Sequence, residues 1–203
     1  MFSRTYPAAL LLAAFSTIFV ACGKEDSVTP GAASGKELKG SYDFVNLTVI
    51  VTTNTTQTQF GETVRSTVKT YYITKDNKGI VTFDGGTLKN TGFAYTVDTT
   101  VLATSTIDGV TEEFEMPFTF TLPETNSTSP YKLKGADSPV FAGGSVQSPV
   151  FGGGETPSLP GVSHYKWKGD TLVLTQGINL RVGTAGVTTV HTGTTIMKLK
   201  KRS

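Results

Sequence analysis

The stretch Val110-Thr111-Glu112-Glu113-Phe114-Glu115-Met116-Pro117-Phe118-Thr119-Phe120-Thr121-Leu122 decides the class of fold. In an extended chain Phe114, Met116, Phe118 and Phe120 share one face, and Glu115, Thr119 and Thr121 take the other. Such period-two alternation marks a strand that buries one side and wets the other. Pro117 has no amide hydrogen to give, so it predicts a sheet edge or a bulge at that point.

The same alternation, in places bulged, recurs at 41–53, 63–74, 79–83, 91–104, 163–168, 171–175 and 187–198. Between these runs lie Asp76-Asn77-Lys78-Gly79, Asp84-Gly85-Gly86, Asp108-Gly109 and Lys168-Gly169-Asp170. Glycine and asparagine reach the positive φ that tight hairpins need, so consecutive strands are expected to be antiparallel neighbours. Thr, Val, Gly and aromatic residues dominate, and beyond the first residues no segment repeats apolar positions at helical spacing over three turns. The expectation is an all-β chain of about eight strands in a single antiparallel up-and-down β-barrel, with a β-sandwich as the alternative that pattern leaves open. Residues 37–203 are enough for one domain with a real core and too few for two.

The first residues have a different character. Met1 to Ala21 holds a lone Arg4, no acid, and apolar runs that end in small Ala21, the outline of a signal peptide. Ser3, Arg4, Thr5 and Pro7 leave the run shorter than the roughly 20 apolar residues of a spanning helix. Phe19-Val20-Ala21-Cys22 resembles a lipobox, with Phe19 where Leu or Val is usual. The resemblance implies cleavage before Cys22 and lipid on its thiol. Cys22 is the only cysteine, which excludes a disulfide within the chain. Two or more acyl chains anchor a protein stably, so a membrane partner through Cys22 is expected. Residues 22–36 then form the lipidated cysteine and a tether rich in Ser, Thr, Pro, Gly and Ala. Within it Lys24-Glu25-Asp26 resembles the surface-export signal of Bacteroidota-type lipoproteins, which places the chain on the outer membrane and favours the cell surface over the periplasmic face.

Leu38-Lys39-Gly40-Ser41-Tyr42-Asp43-Phe44 resembles the opening of lipocalin-like domain lipoproteins from such bacteria, with Tyr42 in place of the family's Trp. Tyr165-Lys166-Trp167-Lys168-Gly169-Asp170-Thr171-Leu172-Val173-Leu174 is similar to the same family. That likeness implies a barrel enclosing a cavity for a small molecule.

The segment 137–160 reads as a long Pro/Gly loop. In it Ser138-Pro139-Val140-Phe141-Ala142-Gly143-Gly144 returns as Ser148-Pro149-Val150-Phe151-Gly152-Gly153-Gly154. Phe141 and Phe151 are therefore candidate ligand contacts, as anchors of a lid over the barrel mouth, against the plainer reading of two rings packed on its exterior. No catalytic constellation stands out. His164 and His191 are the only histidines, and neither lies in a metalloprotease or hydrolase motif. Neither a metal site nor a cofactor is expected. Asp108, Glu112, Glu113 and Glu115 read as a solvated hairpin, and Lys198, Lys200, Lys201 and Arg202 as the wet edge of the last strand. The formal net charge of +2 does not suggest a nucleic-acid partner.

These observations lead to a lipid-anchored envelope protein without catalytic activity, expected to bind a small apolar or amphipathic ligand or a glycan. The alternative is a structural or interaction protein with a solid core. A core filled by large side chains distinguishes the second from the first. Nothing in the sequence speaks to oligomeric state.

Overall fold

A computed structural model of the chain describes residues 38–59, 62–107, 109–141 and 161–202. These form nine strands in one antiparallel sheet that closes on itself. In chain order they are β1 (Gly40–Gln59), β2 (Glu62–Ile73), β3 (Lys75–Phe83), β4 (Thr87–Ile107) and β5 (Val110–Leu133). After them come β6 (Pro139–Phe141), β7 (Gly161–Lys168), β8 (Thr171–Thr184) and β9 (Val187–Lys201). The ring closes where β9 runs along β1 from Tyr42 opposite Lys201 to Gln57 opposite Val187. Every run expected as a strand is one, mostly extended at its ends, and the all-β antiparallel ring is the architecture that the alternation implied.

One expected hairpin is not there. β2 and β3 lie on the same edge of β1 and run in the same direction, with Thr48 opposite Ile73 and then Asp43 opposite Ile80. β4 receives both of them on its far side. The two are one interrupted strand, so nine segments fill eight positions in the ring. The cause lies at Thr74. Its amide donates to Leu47 O at 2.9 Å, and its hydroxyl oxygen accepts from the Leu47 amide at 2.9 Å. Both backbone groups of Leu47 are thereby held to the β2–β3 chain, while Asp76-Asn77-Lys78-Gly79 makes a detour instead of a reversal. Asp76 takes φ 50° and Gly79 φ 116°. At Gly79 a Cβ would lie 2.7 Å from Phe93 Cα, so glycine lets β3 press against β4.

The Asp84-Gly85-Gly86 turn behaves as expected. Gly85 has φ 99°, and Asp84 Oδ1 accepts from the amides of Gly86 at 3.1 Å and Thr87 at 2.7 Å. The loop expected at 137–160 instead begins with a strand. Pro139–Phe141 pairs with β5 on one side and β7 on the other. Proline is tolerated because it opens that strand, where a missing donor interrupts no ladder.

Between the long β5 and β8, the described residues supply only short β6 and β7. Among the described residues, 110–128 of β5 accordingly pair on the β4 side alone, and 177–184 of β8 on the β9 side alone. Pro117, Pro123 and Pro130 all sit in β5, and Pro117 and Pro123 fall where β5 has one partner among the described residues.

The core gathers toward the end of the ring bounded by the turns 84–86, 134–138 and 169–170. Leu38, 1% exposed, lies across this end. The Tyr42 hydroxyl donates to Lys39 O at 2.8 Å and the Tyr131 hydroxyl to Leu38 O at 3.1 Å, so two tyrosines pin the incoming chain over the opening. The opposite end carries the β1–β2, β4–β5 and β8–β9 hairpins.

Candidate functional site

The interior is the first place to look for a site, and its lower part is occupied by rings. Tyr42 meets Phe83 edge-on at 5.9 Å and Trp167 at 5.9 Å. Phe83 meets Tyr131 at 5.8 Å, and Tyr131 meets Phe141 at 5.7 Å. One level higher Phe44 and Phe93 lie 4.3 Å apart, and Tyr95 joins them and Phe120. Tyr72 and Phe118 face each other at 6.3 Å. Pairs at these separations add about 0.5–1.5 kcal/mol each beyond the burial of their area. Burial also raises the phenol pKa of Tyr72 and Tyr95 well above the ordinary 10, and Tyr42 and Tyr165 shift the same way. For the last two a second, smaller cause is a neighbouring group, Tyr165 beside Tyr42 and Asp137 beside Tyr165.

Toward the hairpins the inward positions become small and polar. Thr53 Oγ1 and His191 Nδ1 share a buried hydrogen bond of 3.0 Å, and Thr55 and Thr189 share one of 3.2 Å. Burial lowers the His191 pKa below 6.5. The Thr70 hydroxyl is buried without a hydrogen-bond partner among the described residues.

The residues singled out in the sequence scatter. Phe141 lies on β6, is 1% exposed and packs on Tyr131 in the core, not on the exterior. Phe151 and Cys22 lie outside the described residues, as do the leader and tether. His164 is on the outer face of β7, sharing a 3.0 Å hydrogen bond with Ser138 and 4.0 Å from Asp137. His191 faces inward on β9, and β8 separates the two strands, so the histidines do not meet. Glu112, Glu113 and Glu115 are exposed near the β4–β5 turn, as is every described carboxylate. No group of three His, Cys, Asp or Glu gathers among the described residues.

Two features escaped the sequence reading. The Thr53–His191 pair joins residues 138 positions apart, and only the closure of β1 on β9 makes them neighbours. The tyrosine hydroxyls that hold residues 38 and 39 are equally non-local. Inward phase on an alternating strand was the sole signal for either. Comparison with protein-family models, curated proteins and solved structures finds no match.

Proposed function

We propose that this chain is a lipid-anchored cell-envelope protein without catalytic activity that acts through its outer surface, as a structural or interaction component. The observation that carries the reading is the filling of the lower interior, where rings from Trp167 through Tyr42, Phe83 and Tyr131 to Phe141 pack against one another. Exposure of every described carboxylate supports the non-catalytic part, because a buried pair is what acid–base work in such a scaffold would use. The anchor rests on the lipobox-like Phe19-Val20-Ala21-Cys22, and placement on the outer face of the outer membrane on Lys24-Glu25-Asp26.

A small amphipathic ligand, the cargo implied by the likeness to lipocalin-like lipoproteins, remains the second reading. It is favoured by Phe118, Phe120 and Ile178, which are only partly buried against the core, and by the buried Thr70 hydroxyl, which has no partner among the described residues.

Cell fractionation and native mass spectrometry test the proposal together. The parent chain is expected in the membrane fraction and Cys22→Ser in the soluble one, with the purified Cys22→Ser protein at its bare mass. A Cys22→Ser chain that stays with the membrane overturns the anchor. A stoichiometric non-covalent lipid or glycan adduct on the folded Cys22→Ser chain overturns the surface-acting reading in favour of cargo.

A further inference from the structure

The sequence reading treated the C-terminal basic residues as the wet edge of one strand. The fold gives them company. Lys39 and Lys89 stand beside the incoming chain and the 84–86 turn, and Lys132 and Lys134 beside the 134–138 turn. Lys166 and Lys168 end β7, and Lys198, Lys200, Lys201 and Arg202 end the chain at the same level. All are exposed. The acids at this end are Asp43, Asp84, Asp137 and Asp170. Arg202 pairs with Asp43 at 3.4 Å and Lys200 with Asp170 at 3.8 Å, and the other bases have no ion pair among the described residues.

Strand register arranges part of this charge as a lattice. Lys166, Val173 and Lys198 form one outward row across β7, β8 and β9, and Lys168, Thr171 and Lys200 form the next. Neighbours along a strand are about 7 Å apart, and the rows span two strand spacings of about 5 Å each. At the hairpin end the excess of base is gone, with Glu62, Glu112, Glu113 and Glu115 against Arg65, Lys69 and Arg181. The molecule is therefore electrically polar along the axis of the ring, and an anionic surface would orient it.

We propose that the closed end and the adjoining β7–β9 wall dock on a phospholipid bilayer rich in anionic headgroups, with the three hairpins pointing away. The place where the chain enters supports this occupant. Leu38 lies at the basic end, and the residues between it and Cys22 span at most roughly 55 Å. That length permits several orientations, and the charge selects one. The tether to Cys22 is compatible with this orientation and does not set it; the basic face needs no lipid on Cys22 to bind.

The test uses the chain carrying Cys22→Ser, with vesicles of phosphatidylcholine alone or mixed with phosphatidylglycerol. At low ionic strength it is expected to sediment with the mixed vesicles and not with the neutral ones, and to be released by salt. Each Lys or Arg near an anionic surface raises partitioning about fivefold. Replacing Lys166, Lys168, Lys198 and Lys200 together with Gln should thus weaken binding at least tenfold, while the fold remains intact by circular dichroism. Glu112→Gln with Glu113→Gln should not weaken it. Equal binding to both vesicle types, none to either, or an unaffected lysine variant overturns the proposal. Membrane fractionation of the lipidated chain is a separate result, so the anchor and the docking face can fail independently.

Discussion

The two ends of the ring are built from the same strands in the same alternation, and differ in what the inward positions carry. At the closed end these positions hold Tyr42, Phe83, Trp167 and Leu172; near the hairpins they hold Thr53, Thr55, Thr189 and His191. Large rings fill a strand-lined cross-section from several sides at once and expel water. Small hydroxyl side chains bridge only to the adjacent strand, as Thr53 does to His191 and Thr55 to Thr189. Burial of apolar area is the main stabilising term in folding, so the resistance to unfolding concentrates at the aromatic end and local opening starts at the other.

That contrast predicts unequal responses to the same kind of change. Phe83, 1% exposed, should cost about 3–5 kcal/mol when replaced by Ala. Phe114 on the β4–β5 hairpin, 43% exposed, should cost no more than about 0.5 kcal/mol. Chemical denaturation of the two variants measures both, and equal losses would erase the distinction between the ends. A change of opposite sign is expected at Thr70, whose buried hydroxyl has no partner among the described residues. Thr70→Val keeps the shape and removes the desolvated group, and should raise stability by about 1 kcal/mol in the same experiment.

The smallest effect concerns pH. Burial depresses the folded-state pKa of His191, so the folded protein disfavours the imidazolium relative to the unfolded chain. The resulting stability is complete above pH 6.5, the ordinary value, and is lost as pH falls through the depressed one. Melting temperature should decline on acidification from neutrality, and His191→Gln should flatten that decline. A profile unchanged by the substitution would mean that exposed groups alone set the acid limb.

Strand existence was legible in the sequence because alternation is local: Phe114, Met116, Phe118 and Phe120 report their phase without any partner. Partnership was not. Asp76-Asn77-Lys78-Gly79 has the residues of a reversal, and only the grip of Thr74 on Leu47 turns it into a detour. Pro139 and the nearby glycines argue for loop, and the pairing of Val140 with both Lys132 and Val162 overrides them. The basic end was illegible for the same reason, since its lysines come from five separate stretches that meet only when the ring closes.

The prolines of β5 have one more consequence. An exposed strand edge is a template on which a second copy can add, and repetition of that step yields fibrils. Among the described residues, β5 has no partner on its far side over 110–128, and Pro117 and Pro123 lack the amide donors that a neighbouring chain would need there for a continuous ladder. Among the described residues, that stretch of β5 is thus a poor template for a second copy to extend.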